Sequence, residues 1–265
     1  MFKSKLSFKA DYLFFTPQVI SNKLNISASY YFDILLFISI FLLLISYSKQ
    51  VPIKYLAIIC LCILSSSFFY LLLGNVLRQG LLLFIVVSVI FSNKLAPLFA
   101  GLWIHKTAIF LVAARLKFSY VVLVPIISIL FGYFLPPILE SLPVFGTKFS
   151  FYLSVFSRAS QNGVLKMILL ICYILFILFT GWYKEPIHKR IFILASAILV
   201  FWKIDPVFSR LIYFVDVFIP FSIARILMYS AKEREVTLLL ALIPVILVYG
   251  LYVISHPSIK FNMGL

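Results

Sequence analysis

Long apolar runs separated by short polar or basic breaks make up most of this chain. The runs stand at 31–47, 53–73, 81–92, 95–114, 120–139, 164–182, 191–202, 208–227 and 236–254. At a rise of about 1.5 Å per residue, a run of roughly 17–20 residues crosses the hydrocarbon of a bilayer. The breaks carry helix-ending or charged residues: Pro52 between Lys49 and Lys54, Gly74, Asn93-Lys94, Arg115 to Lys117, and Asp205-Pro206. The pattern predicts an all-α fold, a polytopic transmembrane helical bundle of about eight spans. A single domain covers 31–255, after a basic interfacial segment at 1–30 and before a tail at 256–265.

The run 95–114 departs from the pattern, because His105 and Lys106 stand at its centre. A count of sides makes the departure meaningful. If Arg78, the polar connection 140–163 and Arg210 share one face, then Lys49, Lys54, Lys94, Arg115, Lys117, Lys184, Lys189, Arg190, Lys232 and Arg234 fall on the other. Short loops rich in lysine and arginine belong on the cytoplasmic side, so the first face is the outer one. The N-terminal Lys3, Lys5, Lys9 and Lys23 fall on that outer face in this count. The count closes only if 95–117 is a re-entrant element that turns near His105 and returns. Irregular backbone at that depth is tolerated only where it lines a cavity or is buried in protein.

Composition strengthens the membrane reading. Hydrophobic residues make up 64% of the chain and charged ones 12%, against about half and about a quarter in soluble domains. The net charge of +15 comes from 23 basic and 8 acidic residues. These cations are spread between apolar runs and form no single hydrophilic face, which argues against nucleic acid and for anionic lipid. Cys60, Cys62 and Cys172 lie inside apolar runs and read as small buried hydrophobes. No cleavable signal peptide is evident, since 10–29 is broken by Asp11, Pro17, Asn22 and Lys23.

Three polar clusters are candidates for chemistry. Asn75, Arg78 and Gln79 crowd together beside Gly80. A guanidinium keeps its charge and offers a fork of donors that matches phosphate; alternatively, Arg78 snorkels to headgroups. His105 is either a satisfied donor inside the bundle or a proton acceptor, and Lys106 beside it favours an anion and a neutral imidazole. Arg210 and Tyr213, three residues apart, share a helix face and form either part of a site or an aromatic belt with a snorkelling arginine. Asp216 and Arg225 are each expected to pair with other groups inside the bundle. The connection 140–163 is long enough to suggest a role and contains Lys148, Tyr152 and Arg158, each of which also reads as solvated surface. No paired-carboxylate, HExxH, glycine-rich phosphate-loop or G-x-S-x-G pattern occurs. The expectation is chemistry without metal or cofactor.

Asn75 to Gln79, then Ile104-His105-Lys106-Thr107-Ala108, then Arg210 to Phe214 resemble, in order and spacing, the motifs N-x-x-R-Q, F-H-x-S-A and R-x-x-Y-F of the EpsG-like branch of Wzy-type polysaccharide polymerases. Ile104 and Thr107 depart from the second motif. The resemblance covers about 30–255, and members of that family usually have a further N-terminal span and an acidic outer loop.

The resemblance implies a metal-independent glycosyltransferase in the bacterial inner membrane, polymerising undecaprenyl-pyrophosphate-linked oligosaccharide repeats at the periplasmic face. It implies a flippase and a chain-length regulator of the same pathway as partners. His105, Arg78 and Arg210 would be catalytic, and Asn75, Gln79, Lys106, Arg158 and Tyr213 substrate-binding. A flippase or transporter of the same lipid would use the same arginines, but would need alternating access, for which no paired repeat is detectable. An acyltransferase would need an acidic or asparagine partner for His105 that cannot be placed.

Overall fold

A computed structural model describes residues 19–64, 77–92, 94, 96–104, 106–116, 120–141, 160–204, 207–208 and 211–228. Among them the chain is helical, with no strand. Helix α1 (Ala28–Ser48) starts before the apolar run does, because Ser27 supplies the N-cap and accepts the Tyr30 N–H at 3.4 Å. Helices α2 (Ile53–Leu64) and α3 (Leu77–Phe91) follow. The reading of 53–73 as one span is described only as far as Leu64.

The run 95–114 does not cross as a single helix. It forms α4 (Ala96–Ile104) and a 3₁₀ arm (Lys106–Arg115) that returns alongside it. The register is antiparallel: Gly101 faces Ala108, and Arg115 reaches back to the carbonyl of Lys94 at 2.9 Å. The nine residues of α4 rise about 14 Å and the ten of the arm about 20 Å, so the hairpin reaches partway through a layer of bilayer thickness. A 3₁₀ run longer than three or four residues is uncommon and often marks a hinge or strain.

A 3₁₀ turn (Val121–Leu123) leads into α5 (Val124–Ser141). This helix runs through Pro136 and Pro137 to Ser141. At Gly132, where a Cβ would stand 2.6 Å from the Val200 carbonyl, the helix backbone meets the end of the next hairpin. Helix α6 (Ser160–Thr180) then leads through a turn at Trp182–Lys184 into α7 (Pro186–Ile198). The sequence reading treats 183–190 as a connection, whereas α7 already starts at Pro186. A proline at the first helical position has no N–H bond to lose. From Ile191 to Ala195 this helix is buried on every side, so α7 is the centre of the bundle.

The run 208–227 reads as one span but is broken. A short helix α8 (Tyr213–Asp216) gives way to a turn at 217–218, and α9 (Ile219–Met228) restarts. Pro220 is the cause: it cannot donate to the Asp216 carbonyl, so it is accommodated in the first turn of a new helix.

The chain directions follow from side-chain contacts. Ser46 and Ser88 hydroxyls lie 3.2 Å apart, joining the C-terminal ends of α1 and α3. Arg115 and Arg190 both bind carbonyls at the end of α3. Arg225, on α9, pairs with Glu185 at the start of α7. The turns bearing Lys49, Lys94, Arg115, Lys184, Lys189 and Arg190 therefore gather at one end, called the basic end below. The heads of α1, α3 and α6, the tail of α5 and Lys203 lie toward the other.

Three helices show broad apolar faces outward: Phe37 (70% exposed) and Phe41 on α1, Ile127, Leu130 and Phe134 on α5, and Ile168 and Phe179 on α6. Among the described residues one helical stretch, Val121–Leu139, is long and apolar enough to cross a membrane; Asp33–Ser48, Leu81–Phe91 and Lys166–Thr180 are apolar but shorter.

Candidate functional site

The α4 hairpin brings two of the sequence clusters to one level. A Cβ on Gly101 would lie 3.1 Å from side-chain atoms of both Leu82 and Ile85, so α4 packs against the middle of α3 closely enough that a methyl group requires a shift of a few tenths of an ångström. One helical turn further α4 ends at Ile104, and the 3₁₀ arm that starts at Lys106 runs back alongside it. The end of α4 lies toward the first turn of α3, where Arg78 and Gln79 stand. The first turn of a helix has unbonded N–H groups and the positive end of the macrodipole, an intrinsically favourable place for an anion.

Arg78 and Gln79 thus occupy the head of α3, and Lys106 opens the 3₁₀ arm. Tyr213 lies on α8, 7% exposed, with Phe214 fully buried beside it. Both pack into the core, which corrects the reading of this motif as an aromatic belt. Asn75, His105, Arg158 and Arg210 lie outside the described residues, as do Lys148 and Tyr152.

Between α1, α6 and the broken segment runs a buried polar seam. The Tyr47 hydroxyl donates to the Val217 carbonyl, which is freed by the break. Tyr173 Oη and Ser222 Oγ are 2.7 Å apart. Asp216 is buried next to them, and its Oδ2 has no hydrogen-bond partner among the described residues; the charge of Lys166 acts on it. Buried polar groups of this kind hold one register of a helix pair. The expected pairing of Asp216 is thus electrostatic, whereas that of Arg225 is direct.

A second ionisable cluster stands at the basic end, outside the apolar runs. His188 is fully buried between the rings of Trp182 (centroids 4.5 Å) and Phe221 (5.6 Å). Its Nδ1 is 3.2 Å from Glu185 Oε2, and Arg225 closes on the same carboxylate oxygen while lying over Trp182. The sequence does hold a signal for half of this: Glu185 and His188 are i, i+3 across a proline helix start. Arg225 comes from α9 and no local pattern announces it.

Burial first, and then the Arg225 charge, pull His188 from 6.5 down to about 3. The unfolded chain therefore takes up the proton first as pH falls. His188 has no cost above about pH 6.5 and destabilises progressively from there toward about pH 3. By pH 5 the loss is about 2 kcal/mol. Thermal unfolding between about pH 7.5 and 5 tests this. His188→Phe, which keeps a ring between Trp182 and Phe221, should flatten that part of the slope; an unaltered slope in the variant refutes the assignment.

Among the described residues no group of three or more His, Cys, Asp or Glu side chains could hold a metal ion. Cys60 and Cys172 are free, half-buried thiols.

The class that these coordinates define is an all-helical bundle built around a buried central helix and a half-length hairpin. Beyond the class, comparison with protein-family models, with curated proteins and with solved structures finds no match.

Proposed function

We propose that this chain is a multi-pass membrane enzyme of the bacterial inner membrane, with about eight spans and a re-entrant hairpin. In this reading it joins polyprenyl-pyrophosphate-linked oligosaccharide repeats at the outer face. The observation that carries it is the hairpin: the end of α4 and the start of its 3₁₀ arm lie toward the head of α3, opposite the basic end. The outward apolar faces of α1, α5 and α6 support the membrane setting, since patches of that extent are rare on soluble monomers. The gathering of basic turns at the other end fits a cytoplasmic surface.

The reaction needs an anion-stabilising site more than a metal. An acceptor sugar hydroxyl attacks the anomeric carbon of the donor chain. The new C–O bond forms as the bond to the lipid diphosphate breaks, and the diphosphate leaves as an anion. Arg78 and Arg210 bind that diphosphate, preorganised in a medium of low dielectric. His105 takes the acceptor proton. Asn75, Gln79, Lys106, Arg158 and Tyr213 orient phosphate and sugar. The partners in this reading are the lipid-linked repeats themselves, with a flippase and a chain-length regulator in the same membrane.

The test is the banding of lipid-linked glycan in cells lacking the chain and in cells carrying Arg78→Ala at normal membrane levels. Single repeats without a ladder are expected in both. A normal ladder with Arg78→Ala removes the assignment of that residue. Loss of all outer-face repeats in the deletion indicates a flippase instead.

A further inference from the structure

At the basic end, between the start of α5 and the turn into α7, lies an open cavity of about 670 Å³. Tyr120, Val122 and Leu123 form one side of it, and Tyr183, Lys184 and Lys189 the other. Among the described residues no carboxylate lines it. The acid nearest in sequence, Glu185, is already held by Arg225 and His188, so it does not neutralise the two lysines. Both phenols can donate to an anion. The cavity also has an apolar exit: Val122 and Leu123 are exposed, and the exposed Ile126, Ile127 and Leu130 continue the track along α5. That helix belongs to a stretch, Val121–Leu139, long and apolar enough to span a membrane.

A small soluble anion would use the lysines and leave the apolar track uncovered. An amphiphile with a phosphate at one end and an acyl chain at the other uses both. We propose that this cavity holds the phosphate headgroup of an anionic membrane lipid, between Lys184 and Lys189, with an acyl chain laid along α5. The site lies at the end of the bundle opposite the head of α3, so it is separate from the proposed substrate site. It rests on the membrane reading above. Basic pockets between helices on the cytoplasmic side suit anionic headgroups, with each surface lysine contributing about fivefold in affinity at physiological salt.

The full chain, reconstituted in phosphatidylcholine nanodiscs with and without phosphatidylglycerol, provides the test, with retained lipid read by native mass spectrometry. The parent should retain phosphatidylglycerol over phosphatidylcholine. Lys184→Gln with Lys189→Gln should weaken that retention about tenfold or more, and Lys203→Gln, toward the opposite end, should leave it unchanged. Millimolar inorganic phosphate should not displace the lipid; displacement would assign the site to a free phosphate and overturn the proposal. Equal retention in the double variant overturns it too. Alkaline carbonate extraction separates the two readings: a chain released from membranes refutes the membrane reading, whereas an integral chain without phosphatidylglycerol preference refutes only this site.

Discussion

Replacing Arg115 and Arg190 together with alanine should lower the unfolding midpoint in mild detergent by more than the two single replacements added. The end of α3 explains the size and the sign. The last carbonyls of a helix have no partner within it. Here the Ser88 carbonyl accepts the Ser92 N–H at 2.9 Å, Val89 accepts Arg115 at 2.8 Å and Ile90 accepts Arg190 at 2.6 Å. Arg115 also binds the carbonyls of Ser92 (2.7 Å) and Lys94, so one guanidinium ties α3 to the start of the hairpin. Hydrogen bonds to charged groups contribute about 1.5–3 kcal/mol each, less where water can replace them. Two cations side by side repel, and burial and Arg190 both pull the Arg115 pKa down. The negative end of the α3 dipole offsets that repulsion. Removing one arginine relieves the other and leaves it to serve the shared Ser92 carbonyl. Removing both leaves the helix end open, at a cost of about 4 kcal/mol or more. A double variant that unfolds no more easily than either single variant would show that water serves these carbonyls equally well.

If the chain is the membrane polymerase proposed above, Gly101→Leu should abolish polymer formation while the chain still inserts in membranes. A Cβ at that position meets Ala108 Cβ at 3.0 Å and side-chain atoms of Leu82 and Ile85 at 3.1 Å. A leucine must push the hairpin away from α3. Overpacking of this kind costs about 1–3 kcal/mol in stability. Under the proposed function the effect on catalysis is larger, because displacing reacting groups by about 1 Å costs on the order of a hundredfold in rate. Gly101→Ala is the graded control. It needs a shift of a few tenths of an ångström, and the better helix propensity of alanine, about 1 kcal/mol, offsets the strain. It should therefore be near neutral in stability and reduced in activity. Glycan ladders from cells with matched membrane levels of each variant decide the matter; a full ladder from Gly101→Leu would separate the hairpin from the chemistry.

The two expectations differ in how much of them was legible beforehand. That 95–117 turns back near residue 105 is expected from a count of basic turns; among the described residues, α4 and the 3₁₀ arm run antiparallel to each other. The same count assigns Arg115 and Arg190 only a side. It has no means of showing that both grip one helix end, because the partners lie 20 or more residues away in sequence and are backbone carbonyls of apolar residues. Glu185 is a similar case. Its pairing with His188 is local, but its pairing with Arg225 joins the start of α7 to α9.

Apolar run length, helix-breaking residues and charge bias determined from sequence alone that the described residues are helical, roughly where those helices lie, and that the turns at Lys49, Lys94, Arg115 and Lys184 to Arg190 share an end. Those quantities are local, or depend on parity along the chain. Tertiary structure decided that α7 is buried on all sides, that 208–227 breaks at Pro220, and that Tyr213 and Phe214 face the core. These outcomes depend on which apolar face finds a protein neighbour, and a run of leucine, isoleucine and phenylalanine reads the same whether that neighbour is another helix or lipid.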